Sequence, residues 1–370
     1  MYDLIGDIHG RAVELEALLT KLGYRRAGAG YRHEKRKVIY LGDFIDRGPH
    51  QRRVLEVVRT MIEEDAALAV MGNHEFNAIA YFTSDGSGSH LRPRNNKNTH
   101  QHQAFLDEFA NKADEWAETI DWFKTLPLWL ELDELRVVHA CWDPAQICRI
   151  LECYGGDAQL TDELLHHASR RGTWQHRAVE TLLKGKEIGL PEGTYFHDKD
   201  GTRRHEIRVR WWANGKTYKD VYMGPESAAP YIPDDPVEDT HMVEYGHDEK
   251  PVFLGHYWME GNPQPLAVNI ACLDYSVAKP GGKLVAYLWR LDDLRVNAWF
   301  SSSLAQIRCW PPSPAQLREK DVAPLVIQGA GLVAVADKLS PEINQPRVAT
   351  MLIDQRIFVR LACHGKSGPF

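Results

Sequence analysis

An α/β fold built on a parallel sheet is predicted by three apolar runs that each stop at a polar, glycine-containing island. The runs are Leu4-Ile5, Val38-Ile39-Tyr40-Leu41 and Leu68-Ala69-Val70-Met71. The islands that follow them are Gly6-Asp7-Ile8-His9-Gly10, Gly42-Asp43-Phe44-Ile45-Asp46-Arg47-Gly48 and Gly72-Asn73-His74-Glu75. Short unbroken apolar runs of this kind mark buried parallel strands, and open α/β sheets bind ligands beyond the carboxyl ends of such strands. Two later islands, Val138-His139 and Gly255-His256, extend the series to five.

The elements follow in order. A helix is predicted over 11–22, where Val13, Ala17, Leu18 and Leu22 recur near helical spacing and Gly23 takes the position after the helix end. The second strand is expected over 37–43, and Pro49 opens a helix that runs to about Glu64. The third strand spans 66–71, and Asn73-His74-Glu75 begin the next helix. The resulting β-α-β-α-β order implies right-handed crossovers.

Residues 83–103 break this rhythm, with a Gly/Ser-rich half and then Arg92, Arg94, Lys97, His100 and His102. They predict a loop-like insertion with a basic second half. Helix is expected again over 104–124, a strand over 135–138 delivering His139, and a helix over 161–184 ending at Gly185. Two hairpin signals, Asp200-Gly201 and Asn214-Gly215, flank a strand expected over 206–212, a meander placed to roof or flank the site. Strands over 252–255, 266–272 and 283–290 suggest a second sheet packed on the first. Beyond about 291 the pattern weakens, and Pro311-Pro312-Ser313-Pro314 suggests a boundary.

A chain of 370 residues exceeds one ordinary core, so a large domain with an appendage or two domains is expected. Hydrophobic content of 44% with 26% charged residues is ordinary for a soluble globular enzyme. A formal charge of -7 argues against nucleic-acid binding through overall charge and leaves a local basic groove open. No apolar stretch approaches the roughly 20 residues of a membrane span, so no membrane partner is expected. A strand beginning at Tyr2 leaves no room for a signal peptide. The six cysteines lack C-x-x-C spacing. A reduced, cytoplasmic protein with neither a disulfide framework nor a structural zinc site is expected.

The five islands supply oxygen and imidazole donors, the set that two divalent cations need for a hydrolytic site. Asp7 and His9 stand two residues apart at a strand end and can grip one cation. Asp43, with two carboxylate oxygens, can bridge two. Asn73 offers an amide oxygen, and His139 and His256 offer imidazoles. One metal would take Asp7, His9 and Asp43, and the other Asp43, Asn73, His139 and His256. His74 follows Asn73 and suits a general acid, with Asp46 orienting and charging its ring. Arg47 can offer a bidentate fork to phosphate oxygens. Glu75 is expected to serve the helix start rather than a metal.

GDIHG, GDFIDRGP, GNHE, a strand-final His and the later GH resemble the calcineurin-like metallophosphoesterases, in the branch of the phosphoprotein phosphatases. Bacterial symmetrical dinucleoside tetraphosphatases and the phosphatase module of polynucleotide kinase-phosphatases look most similar. The stretch Asp274-Tyr275-Ser276 with Gly281-Gly282-Lys283-Leu284 is similar to a D-x-G/GG-x-L segment near the end of that domain.

The resemblance covers roughly 1–290 and implies a four-layer α/β/β/α sandwich, two β-sheets flanked by helices. It carries a β-hairpin cap within 186–247, the insertion at 83–103 and a C-terminal extension over 291–370. It implies two divalent metal ions, manganese first, with iron or zinc as alternatives, and direct attack by metal-bound hydroxide. Arg47, Asn73 and Tyr275 are the residues expected to meet substrate. Ala140-Cys141-Trp142 stands where protein phosphatases carry Gly-Gly after the histidine. A second phosphate-binding arginine has no motif match, leaving Arg171, Arg203, Arg204 and Arg208 as candidates. A small phosphorylated metabolite or nucleotide is the expected substrate, and a nucleic-acid 3′ or 2′,3′-cyclic end stays open. A Ser/Thr or Tyr protein phosphatase is the alternative, and a non-catalytic phosphate-binding module the rival from another class. For base stacking, Tyr257, Trp258, Trp211 and Trp212 are the candidates.

Overall fold

A computed structural model describes residues 1–156, 158–197, 202–238, 242–289 and 298–301. The elements are β1 (Tyr2–Ile5), α1 (Ala12–Lys21), β2 (Arg25–Ala27), β3 (Gly30–Arg32), β4 (Lys37–Tyr40), α2 (Gln51–Glu63), β5 (Ala67–Ala69) and α3 (Asn73–Phe82). Next come α4 (Asn96–Gln101), α5 (Gln103–Glu108), α6 (Ala113–Lys124), β6 (Trp129–Glu131), β7 (Arg136–Val138), α7 (Pro144–Tyr154), α8 (Asp162–Ala168) and α9 (Trp174–Lys184). The rest are β8 (Glu187–Gly189), β9 (Phe196–His197), β10 (Arg203–Arg204), β11 (Glu206–Arg208), α10 (Tyr218–Val221), β12 (Val252–Leu254), β13 (Ile270–Cys272), β14 (Asp274–Tyr275), β15 (Lys283–Trp289) and β16 (Ala298–Ser301).

Two sheets form the centre. In the first, β1, β4 and β5 lie side by side and parallel, with Ile5 opposite Tyr40 and Tyr40 opposite Ala69. In the second, β12 lies between β13 and β7, parallel to both, and β6 closes the edge antiparallel to β7. Alternation of side chains across each strand sorts the apolar residues into two layers. Leu4, Ile39, Val285 and Tyr287 from the first sheet meet Val137, Phe253 and Ala271 from the second in one buried cluster. Their neighbours Ile5, Val38, Tyr40, Val138 and Leu254 turn the other way, into the core that the helices cover. The chain thus forms the expected sandwich of two sheets flanked by helices.

The sequence expectation differs from the structure in several places. The strand expected over 283–290 belongs to the first sheet, not the second: β15 pairs antiparallel with β1, Tyr2 opposite Trp289 and Ile5 opposite Ala286. Its far side carries β14 and β16, so this sheet continues beyond residue 290. The helix expected over 104–124 is two helices, α5 and α6, parted near Asn111 at φ 62°, a left-handed conformation that ends a helix. The helix over 161–184 also divides, at Gly172 (φ 88°), and restarts where the Thr173 hydroxyl accepts the His176 amide. The insertion over 83–103 contains a helix, α4, capped by Asn95 accepting the Asn98 amide.

The meander differs too. Only Glu206–Arg208 of the expected 206–212 strand is regular; it pairs with β8, and its continuation pairs across the Asn214-Gly215 signal, Val209 opposite Tyr222. Asn214-Gly215 leads into α10 through a Thr217–Asp220 capping box. The Asp200-Gly201 turn lies outside the described residues, between the paired strands β9 and β10. Helix α7 had not been expected, although Asp143 at its N-cap and Pro144 in its first turn are an ordinary helix-start signal. The proline-rich boundary over 311–314 and most of the extension over 291–370 lie outside the described residues.

Candidate metal centre and phosphate site

Every predicted ligand follows a parallel strand, and both sheets end their parallel strands at the same edge of the sandwich. β1 leads to Asp7 and His9, β4 to Asp43, β5 to Asn73, β7 to His139 and β12 to His256. Backbone bonds stitch the loops together. The amides of Ile8 and His9 donate to the Asp43 carbonyl at 3.0 and 2.9 Å, and Gly255 donates to the His139 carbonyl at 2.8 Å. The His139 ring crosses between sheets, its Nδ1 bonded to the Leu41 carbonyl at 2.7 Å. His9 is held the same way, Nδ1 to the Ile45 carbonyl at 3.0 Å. Because a carbonyl only accepts, Nδ1 carries a hydrogen in both rings, which leaves Nε2 as the atom turned to the site.

The loops are strained where they carry these groups. His9, Asp43, Asp46, Arg47, His256 and Trp258 have φ of 48°, 53°, 71°, 67°, 70° and 54°. A left-handed conformation costs a non-glycine residue roughly 1–2 kcal/mol, and it persists here because the surrounding bonds over-determine it. Glu75 supplies three of those bonds. Its carboxylate accepts the amides of Asp43 at 2.9 Å, Phe44 at 2.8 Å and Gly72 at 3.0 Å, locking the second island to the third. It is the helix-start carboxylate expected, not a ligand. Gly72 and Gly255 leave no room for a side chain: a Cβ on the first would strike Asp43, and on the second Asp7.

Two sets of ligand atoms share Asp43. In one, His9, Asp43 and His74 offer atoms all within 4.8 Å of one another, and in the other Asp43, His139 and His256 do. The Nε2 atoms of His9 and His139 are buried, with no hydrogen-bond partner among the described residues. They stand 3.7 and 3.4 Å from opposite oxygens of Asp43. Asn73 Oδ1 belongs with the second set, 2.7 Å from His256 Nδ1. The two oxygens of Asp7 accept the His256 amide at 3.3 and 3.1 Å, and the His74 ring stands beside His9. Two bare imidazole nitrogens around a shared carboxylate, with amide and carboxylate oxygens beside them, are donors that fit a pair of divalent cations.

The charges are strongly coupled by burial. Burial pushes His9 down, assisted by His74 and Arg47, to about 3. Burial also opposes charge on His139, but Asp43 and Asp7 outweigh it and lift the ring to about 10. Asp43 is held well below the usual carboxylate range because His139, His74 and His9 together outweigh its burial. Asp7 goes the other way, raised by burial and by Asp274.

Beside the ligands lies a second set of groups. His74 Nδ1 bonds Asp46 Oδ2. Arg47 reaches to 3.5 Å from His74 Nε2 and stacks its guanidinium 4.1 Å from the centre of the Trp258 ring. Of the candidate second arginines, Arg208 comes to the site, 3.2 Å from His256 Nε2. Arg203 stacks on Tyr195 in the hairpin, and Arg171 is exposed. Of the candidate stacking residues, Trp211 and Tyr257 are buried, with the Trp211 indole donating to the Ala140 carbonyl, so they are wall. Trp258 stays half-exposed beside His9. Tyr275 is buried in the layer between the sheets, and its hydroxyl accepts the Gln264 amide at 3.0 Å.

The sequence reading missed two groups. His102, counted in the basic insertion, is buried and bonds the same Asp46 oxygen as His74 at 2.8 Å. Asp274 is a buried carboxylate behind Asp7, accepting the Trp258 amide at 2.7 Å. The arginines of that insertion are anchors: Arg92 donates to Asn77 and Gln101, and Arg94 to the Tyr81 carbonyl.

The model of the family described as calcineurin-like phosphoesterase matches residues 2–256. An asymmetrical bis(5'-nucleosyl)-tetraphosphatase, PrpE, of Oceanobacillus iheyensis is 30% identical over 141 residues, 37% of this chain and 54% of that protein. A protein of the same name from Bacillus mycoides is 44% identical over 75 residues, 20% of this chain and 30% of its own. The chain spans about half the length, or less, of the curated relatives it matches. Among solved structures, a cold-active protein-tyrosine phosphatase of Shewanella aligns over 81% of this chain and 76% of its own, at 15% identity and a TM-score of 0.43.

Proposed function

The chain belongs to the calcineurin-like phosphoesterase family, and from that premise we propose that it is a binuclear metal-dependent phosphoester hydrolase acting on a nucleotide-type substrate. The observation that carries the reading is the sharing of Asp43 between two ligand sets, each holding a buried imidazole Nε2 without a hydrogen-bond partner. Asp7, His9 and Asp43 would hold one cation, and Asp43, Asn73, His139 and His256 the other. Manganese is the proposed metal, with iron or zinc as alternatives. When bound, such a pair supplies a water of lowered pKa and positive charge beside the phosphoryl group.

The chain's own groups do the rest. Arg47, next to Asp46 and His74, offers its fork to the phosphate oxygens, and the Trp258 indole holds that fork in place. His74 gives its Nε2 proton to the leaving oxygen as the phosphorus–oxygen bond breaks in line with the attack. Asp46 holds Nδ1–H and so fixes which nitrogen faces the substrate. His74 lies near His9 and Asp43, but its Nδ1 is already engaged and its Nε2 points to Arg47, which suits an acid better than a ligand.

The tetraphosphatase names of the relatives favour a dinucleoside polyphosphate. Catalysis is assigned to 1–290, with insertions at 83–103 and 186–247, and no role to 291–370. Among the described residues no helix is long and apolar enough to cross a membrane, and a cytoplasmic location is proposed.

The test is manganese-stimulated turnover of p-nitrophenyl phosphate, bis-p-nitrophenyl phosphate, diadenosine tetraphosphate, 2′,3′-cyclic nucleotides and a phosphopeptide. The expected result is a preference for diadenosine tetraphosphate with unequal nucleotide products. Preference for the phosphopeptide would replace the substrate assignment, and no turnover with any metal would leave only a phosphate-binding module.

A further inference from the structure

His102 lies in the insertion after α3, at the junction of α4 and α5, far in sequence from every motif of the site. Its ring is buried and packs against Tyr81 of α3, centroids 5.6 Å apart, and stands 6.4 Å from the His74 ring at 85°. Its Nδ1 lies 2.8 Å from Asp46 Oδ2, the same oxygen that His74 Nδ1 engages, while Asp46 Oδ1 has no partner among the described residues.

A carboxylate only accepts, so both rings must carry hydrogen on Nδ1. One oxygen between two donors cannot swing towards either without losing the other. The Asp46 backbone is fixed as well, at φ 71° with its amide donating to Gln51 Oε1 at 2.6 Å. From this juxtaposition we propose that His102 is a positioning residue for the general acid: it pins the Asp46 carboxylate in the one orientation that presents His74 Nε2 to the leaving oxygen. The proposal rests on the reading of His74 as the acid. It gives the 83–103 insertion a chemical purpose, because α4 and the Arg92 and Arg94 anchors fix where His102 stands.

A residue that acts only through the acid affects a substrate in proportion to how much that substrate needs a proton. The phenolate released from phenyl phosphate is a poor leaving group and needs it, whereas p-nitrophenolate leaves as a stabilised anion and hardly does. His102→Leu keeps the bulk and removes the donor, and His102→Asn keeps a donor near the Nδ1 position. In the manganese-loaded full chain, His102→Leu should lower kcat on phenyl phosphate about tenfold more than on p-nitrophenyl phosphate, part of the roughly 10²–10⁴ that acid catalysis supplies. KM should stay within about twofold, and His102→Asn should recover most of the loss. Equal loss on both substrates, no loss, or no recovery in His102→Asn overturns the proposal. Should His102→Leu not fold, His102→Asn with wild-type rates on both substrates sustains it, and a uniform loss there ends it.

His74→Asn is measured alongside. If that variant shows the leaving-group dependence and His102→Leu does not, only the positioning role fails. If His74→Asn shows none either, the acid assignment fails first and takes the positioning role with it.

Discussion

His9 and His139 sit on opposite sides of Asp43, both fully buried, both with Nδ1 on a backbone carbonyl and Nε2 aimed at the shared carboxylate. Burial opposes the charged form of each, yet neighbouring charges push His9 down to about 3 and draw His139 up to about 10, where it holds a proton that a cation on Nε2 would displace. The neighbours account for the split. His9 faces His74 and Arg47, and His139 faces Asp7 and Asp43. The lesson is that the surroundings of Asp43 are polarised: the extra charges beside His9 are the cationic His74 and Arg47, and beside His139 the carboxylate of Asp7.

Asp43 is common to both sides, so its loss should have the largest effect. Asp43→Asn is expected to lower kcat by about a thousandfold or more, since two-cation charge stabilisation amounts to several kcal/mol, and metal content measured by mass spectrometry should drop. Retained metal and activity in that variant would remove the shared-ligand reading.

The two histidines should then part company. His139→Gln and His9→Gln should each weaken metal binding by at least about 10–100-fold, the loss typical even of groups that only support a ligand. Added metal should restore turnover in both, but only His9→Gln should also show altered phosphate inhibition, because His9 adjoins Arg47. Identical behaviour in titrations with manganese and inorganic phosphate would erase the proposed polarity.

The acid sharpens the comparison through pH. Burial pushes the His74 ring down, but Asp43 and Asp46 outweigh it and hold it above the ordinary imidazole value. The protonated form is the active one, so kcat on a poor leaving group should fall as pH rises, with the inflection above about 6.5. Asp46→Asn should move that inflection down. An inflection unmoved in the pH profile would detach Asp46 from the acid.

The smallest effect belongs to the Trp258 platform. Trp258→Leu removes the ring under Arg47, a contact of about 1 kcal/mol, so KM should rise roughly three- to tenfold with kcat nearly unchanged. A fall in kcat with KM unchanged would instead place Trp258 with the chemistry.

The strand-end positions of the candidate ligands were legible in advance because they are local. Asp7, His9, Asp43, Asn73, His139 and His256 each follow a short apolar run, and a parallel strand delivers the residue just beyond its carboxyl end whatever the rest of the fold does. Helices were legible where spacing was strong, and misjudged where a single left-handed residue such as Asn111 or Gly172 divided one pattern into two. The placement of β15 was beyond reach, since an apolar run of six residues, Leu284 to Trp289, looks the same in either sheet.

By itself the sequence determined which residue types stand at strand ends, and with them the family and the chemistry on offer. Only the tertiary structure decided that Asp7 leans to His256, that Arg208 rather than Arg203 reaches the site, that Tyr275 is core, and that His102 shares Asp46 with His74. Those contacts join segments as many as 249 residues apart. A hydrogen bond depends on distance and direction in space, and periodicity along the chain carries neither across a loop.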